Sequence, residues 1–216
     1  MKNLDVNLDT ILPKEQLFLF GYENYFNVFV KLLKSNRIPN VVLISGLKGS
    51  GKATFAYHII NYLLSQDQDK KYLLNDFTIN KDNRSYKLLQ RNIHPNFYLM
   101  ENNLNDTAIK IDQARNLLSF LNKSTYSKDL KIIMIDNAEY LNLYSSNAIL
   151  KAIEEPNTNT FFFIIHNSAL KIVDTIKSRC IEFKVFFSSN KKKNIFKNII
   201  KQYRSSLQLS NIEDYF

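Results

Sequence analysis

The stretch Gly46-Leu47-Lys48-Gly49-Ser50-Gly51-Lys52-Ala53-Thr54 follows a short apolar run, Val41-Val42-Leu43-Ile44, and leads into a second apolar pattern from Lys52 to Leu64. The chain has four glycines, and three of them stand here within six residues. The spacing is G-x-x-x-x-G-K between a buried strand and a helix, the context in which this motif cradles phosphate. Glycines let backbone N–H groups turn inward around an anion without a Cβ clash. The first turn of the helix adds unpaired donors and a partial positive charge. Lys52 is then placed to bridge the beta and gamma phosphates of a nucleotide as a point charge. The residues assigned to nucleotide contact are Gly46, Gly49, Ser50, Gly51, Lys52, Ala53 and Thr54.

One position departs from the motif. After the lysine it calls for Ser or Thr, whose hydroxyl binds Mg²⁺, and this chain has Ala53. Thr54 lies one residue on, roughly 100° around the helix, and is expected to point elsewhere. The expectation is ATP held by backbone and Lys52, with Mg²⁺ only weakly retained.

Lys131-Ile132-Ile133-Met134-Ile135-Asp136 reads as a second buried strand ending in a carboxylate. In a doubly wound sheet that end faces the ligand crevice, so Asp136 is assigned to Mg²⁺ through water. An active ATPase of this design follows the Asp with Glu to polarise water. Here the residue is Asn137, an amide that cannot accept a proton at neutral pH. Glu139, two residues further, is not assumed to substitute.

Apolar periodicity alternates between strands and helices across the rest of the chain. Helical patterns run over Tyr22 to Leu33, Lys52 to Leu64, Ile109 to Leu121 and Ser145 to Glu155, the last stopped by Pro156. Buried strands are read at Val41–Ile44, Phe97–Met100, Ile132–Ile135 and Phe161–Ile165, with a last apolar stretch at Ile181–Phe187. Strands apolar on both faces and separated by helices predict an α/β fold with a parallel sheet covered on both sides. Ser65 to Asn92 is polar and lysine-rich. It reads as a surface excursion with few anchors, partly helical at Tyr86–Leu89. A boundary is placed near residues 186–190, before a basic helix from Asn190 to Arg204.

The chain is 216 residues long, 45% hydrophobic, with net charge +9. That length suits one medium domain, or one domain with part of a second. One cysteine, Cys180, excludes a disulfide framework and a multi-cysteine zinc site within the chain, and fits a reducing compartment. The first ten residues lack the apolar core of a signal peptide, and no apolar run is long enough to cross a bilayer. The expectation is a cytoplasmic protein without a membrane partner. Residues 181–216 carry six Lys and one Arg against two Glu and one Asp. That excess reads either as a DNA-attracting tail or as a solvated helix face with Ile195, Phe196, Ile199 and Ile200 turned inward.

Asn147-Ala148-Ile149-Leu150-Lys151-Ala152-Ile153-Glu154-Glu155-Pro156 resembles the N-A-L-L-K-x-L-E-E-P-P helix of clamp-loader ATPase subunits of the bacterial replicative polymerase. Asn157 replaces the second proline. Ser178-Arg179-Cys180 resembles the S-R-C motif of the same AAA+ family. The resemblance runs from about Leu17 to Phe187 and includes Leu19-Phe20-Gly21-Tyr22-Glu23, His94-Pro95 and Ile111-Asp112-Gln113-Ala114-Arg115. The Ile-Asp-Gln-x-Arg and Gly-Lys-Ala-Thr stretches look like the delta-prime branch.

The resemblance implies an AAA+ P-loop domain with a five-stranded parallel sheet between helices, followed by the start of a small helical lid. It places the core at residues 1–187 and a partial lid at 188–216, with no collar domain. It implies that Arg179 acts in trans, reaching a neighbour's gamma phosphate, while the chain itself hydrolyses little. The implied partners are gamma/tau and delta clamp-loader subunits and, through the complex, the sliding clamp and primed DNA. Many family members carry a four-cysteine zinc module, and residues 65–93 hold no cysteine, so no zinc is expected. Ile165-His166-Asn167-Ser168 offers polar candidates for a gamma-phosphate contact without choosing among them. The alternatives are an ATP-hydrolysing gamma/tau-type subunit, which Ala53 and Asn137 disfavour, and a DNA-binding accessory module built on the basic tail.

Overall fold

The computed structural model describes residues 11–102, 108–123 and 130–203. Residues 1–10 and 204–216, and with them Arg204 of the basic helix, lie outside the described residues. Five strands form one parallel sheet: β1 (Val41–Gly46), β2 (Phe97–Met100), β3 (Lys131–Ile135), β4 (Thr160–Asn167) and β5 (Ile181–Lys184). Their order across the sheet is β2-β3-β4-β1-β5. The helices are α1 (Glu23–Lys34), α2 (Lys52–Ser65), α3 (Arg84–Gln90), α4 (Ile111–Asn122), α5 (Leu143–Glu154), the short α6 (Asp174–Lys177) and α7 (Ser189–Tyr203).

The period of two along each strand divides the core. Val42 and Ile44 of β1, Ile132 and Met134 of β3, and Phe163 and Ile165 of β4 join a layer with Phe26, Phe29, Phe55 and Ile59 of α1 and α2. Val41, Leu43, Ile133, Ile135, Phe162 and Ile164 join the opposite layer with Leu117 of α4 and Ile149 and Ile153 of α5. The register Val42↔Phe163 and Leu43↔Ile164 keeps each layer intact from strand to strand. Because β1, β3 and β4 are covered on both faces, they are almost wholly apolar until their carboxyl ends. Polar chemistry is therefore concentrated there.

Buried Lys131 opens β3 and donates from Nζ to the carbonyls of Phe120, Leu121 and Lys123. It closes the end of α4, where orphan carbonyls and the helix dipole favour a cation.

Two expectations need correction. Residues 65–92 are not a weakly anchored excursion: Tyr72, Ile79, Tyr86 and Leu89 are all buried. Tyr72 stacks on Phe26 with ring centres 5.1 Å apart and its hydroxyl lies 2.9 Å from His58 Nδ1. Asn83 caps α3 by accepting from Tyr86 N. These anchors come singly among charged residues, so no periodic signal marks them. The second correction is at Ile109, which precedes α4 instead of opening it. It is fully buried, bridges to Leu141, and its carbonyl accepts from Ser145 Oγ.

Candidate functional site

The glycine loop emerges from the carboxyl end of β1, between β4 and β5, and turns directly into α2. A Cβ at Gly46 would stand 2.8 Å from the carbonyl oxygen of Val185, so only glycine allows the chain after β5 to approach this closely. Gly51 caps α2 in the left-handed region, φ +85°, and no side chain caps that helix. The first-turn N–H groups of α2 are thus left to a ligand, as an anion cradle requires.

Lys52 is buried, and its Nζ donates to Gly46 O at 2.9 Å and Leu47 O at 2.7 Å. Burial lowers its pKa, while the carboxylates of Glu139 and Asp136 oppose the shift. Lys48, Gly49, Ala53, Thr54, Asp136 and Asn167 help line a cavity of about 280 Å³ beside it. Burial pushes the Asp136 carboxyl up to about 6; the Asn137 N–H, donating to Oδ1 at 2.9 Å, works against this, and nearby Glu101 and Glu139 add to it. Asn137 adopts a left-handed backbone, φ +56°, which commits its N–H to Asp136.

That turn also brings Glu139 back to the strand ends. Its Oε2 accepts from Asn167 N at 3.0 Å, tying the β3 turn to the end of β4. Sequence spacing alone gave no reason to place Glu139 here; the 3-10 turn Ala138–Tyr140 does. Strand alternation puts two of the β4 candidates on opposite faces. Asn167 faces the loop cavity, whereas buried His166 faces the opposite layer with Nε2 3.1 Å from Leu170 O.

A second cleft of about 470 Å³ opens between the loop, the segment before α1 and α7. Phe18, Phe20, Tyr22, Phe187, Phe196 and Ile199 give it an apolar wall, while Ser50 and Thr54 face it from the loop side. Tyr22 stacks on Phe55 at 4.6 Å and donates its hydroxyl to Ser50 O at 2.9 Å, holding the loop from the side. Thr54 lines both spaces.

Arg179 follows α6 and lines neither loop cavity. Its Nε donates to Glu154 Oε1 at 2.6 Å, Nη2 pairs with the same oxygen, and Nη1 donates to Thr175 O at 2.8 Å. The side chain retains 31% exposure. Cys180 beside it is half-buried, and burial pushes its thiol up to about 12, which favours the protonated form.

The donors suit a nucleotide better than a metal. The uncapped helix start, Lys52 and the aromatic cleft match phosphates and a planar base. Ala53 supplies no oxygen to Mg²⁺, leaving Asp136. Among the described residues no group of three or more His, Cys, Asp or Glu could hold a metal ion, and no helix is long and apolar enough to cross a membrane.

A glycine cradle at the end of a central parallel strand, with an acidic end two strands away and a helix across a cleft from the loop, is the fold of an AAA+ P-loop NTPase domain. Residues 21–210 match the model of the family described as "DNA polymerase III, delta subunit", and the chain belongs to that family. It is 29% identical over 140 residues to DNA polymerase III subunit delta' of Pseudomonas aeruginosa, covering 65% of this chain and 41% of that one. It is 26% identical over 155 residues to the Escherichia coli K12 protein of the same name, covering 72% and 45%. The chain thus spans less than half the length of these relatives. A solved structure of a DNA polymerase III gamma subunit-related protein from Thermotoga maritima shares the fold, with TM-score 0.50, 19% identity, and coverage of 81% and 49%.

Proposed function

We propose that the chain acts in DNA replication as a delta-prime-like subunit of a clamp loader, supplying Arg179 and a rigid scaffold to an ATPase neighbour and hydrolysing little or no ATP itself. The observation that carries this reading is an asymmetry within one domain. The guanidinium of Arg179 is held by Glu154 and Thr175, is partly exposed, and lines neither loop cavity. The loop itself lacks a hydroxyl at Ala53 and a carboxylate at Asn137.

In this reading Gly46, Gly49, Ser50, Gly51, Lys52 and Thr54 hold the phosphates of ATP. The aromatic cleft beside α7 would take the base, and Asn167, which lines the loop cavity, would be the candidate for gamma-phosphate contact. Asp136 is the remaining carboxylate for Mg²⁺, which stays weakly held. Hydrolysis in the assembled ring falls to the neighbour, where a guanidinium neutralises charge growing on the transferred phosphoryl group. The core ends at residue 187 and α7 begins the lid.

The partners are gamma/tau-type and delta-type clamp-loader subunits, and through them the sliding clamp and primed DNA. The gamma/tau alternative requires Ala53 and Asn137 both to be compensated. Co-purification with the clamp-loader subunits of the same organism tests the assignment. Stoichiometric capture in one complex is expected; failure to associate with them, with and without primed DNA, overturns it.

A further inference from the structure

We infer that Glu154 is a positioning residue for Arg179: it fixes the plane of the guanidinium so that one edge is presented to an anion on a neighbouring molecule. This rests on the trans role of Arg179 proposed above.

The geometry assigns each donor. A guanidinium has five N–H groups in a rigid plane. Nε and one N–H of Nη2 are taken by Glu154 Oε1, along the side edge of the fork. One N–H of Nη1 is taken by Thr175 O at 2.8 Å. What remains among the described residues is one N–H on Nη2 and one on Nη1, the latter with only a 3.5 Å approach to Ser178 Oγ. The Nη2 N–H lies at the far end of the fork, turned away from Glu154, and with the remaining Nη1 donor it is left for an outside anion.

The carboxylate comes from the last residue of α5, and the carbonyl from α6. Two elements packed on the same core layer through Ile153 and Ile176 therefore hold one side chain. An arginine otherwise searches many rotamers, and each must be given up when it meets its target. Glu154 removes that search in advance. Glu154 touches no reacting atom in this account; it acts through Arg179.

The test uses this protein reconstituted with its ATPase partner subunits and primed DNA, with kcat and KM for ATP measured for Arg179→Ala, Glu154→Ala, Glu154→Gln and the Arg179→Ala/Glu154→Ala double variant. Arg179→Ala lowers kcat if the trans role holds. Glu154→Ala is then expected to lower kcat about tenfold with KM nearly unchanged, the scale of a misplaced catalytic group. Glu154→Gln, which keeps an acceptor oxygen, recovers part of the loss. In the double variant Glu154→Ala adds nothing. Wild-type kcat for Glu154→Ala beside a slow Arg179→Ala overturns the positioning role alone, as does a further loss in the double variant. An unchanged Arg179→Ala removes the trans role, and this inference with it.

Discussion

Lys52 Nζ lies 2.9 Å from the carbonyl oxygen of Gly46, at the other end of the same loop. The ammonium group that should meet phosphate is satisfied by the cradle's own backbone. A nucleotide must replace those two carbonyl bonds as well as fill the cleft, which favours weak binding. Lys52→Ala should reduce ATP affinity at least about tenfold, the usual scale for a lost charge-assisted contact. Titration of a fluorescent ATP analogue checks this. Equal affinity for wild type and variant would mean that Lys52 does not reach the phosphates.

Ala53 predicts an unusual insensitivity to metal. With no hydroxyl at this position, ATP affinity should change little when Mg²⁺ is removed. Ala53→Ser should make binding Mg²⁺-dependent by about tenfold, because the hydroxyl adds an oxygen ligand at the start of α2. Calorimetry with and without Mg²⁺ distinguishes the two.

Asp136 makes stability fall with rising pH. Its folded pKa of about 6 lies above its usual value of 3.8, chiefly because burial disfavours the charge. The folded state then binds the proton more tightly than the unfolded state. Its contribution is most favourable below about pH 4 and is lost as pH rises through about 6. Asp136→Asn retains an oxygen for the Asn137 N–H and removes the buried charge. Urea unfolding should find the variant more stable by on the order of 2 kcal/mol at pH 8. The difference should vanish near pH 4.

His58 works in the opposite direction. It is fully buried, and burial lowers its pKa to about 3. Nδ1 lies 2.9 Å from the Tyr72 hydroxyl and Nε2 3.1 Å from Gln16 O, an arrangement suited to the neutral ring. The unfolded state takes up a proton near pH 6.5, so this contribution is present above that pH and is lost progressively toward pH 3. His58→Ala should cost about 2–4 kcal/mol through the cavity and the abandoned Tyr72 hydroxyl. It should also flatten the acid limb of the stability curve.

Much of the framework was legible because it follows from periodicity. Strands buried on both faces announce themselves as apolar runs, and Phe97–Met100 matches its expected range. The loop was legible because Gly49 and Gly51 take left-handed backbone, φ +75° and +85°, and Gly46 admits the close approach of Val185. What escaped depends on three-dimensional return. Glu139 reaches Asn167 only because Asn137 takes a left-handed turn. Glu154 meets Arg179 across 25 residues of sequence. Tyr72 is buried by an aromatic cluster whose members come from separate segments. No local pattern encodes such meetings.

The central claim is that Arg179 acts on a neighbour's nucleotide and not on its own. ATP hydrolysis by the reconstituted clamp loader, compared between wild type and Arg179→Ala, tests it most directly when paired with nucleotide affinity of the isolated chain. The account predicts at least about a tenfold loss of complex turnover, as expected for a missing finger, with the isolated chain's own affinity unchanged. Undiminished turnover by the complex would contradict it.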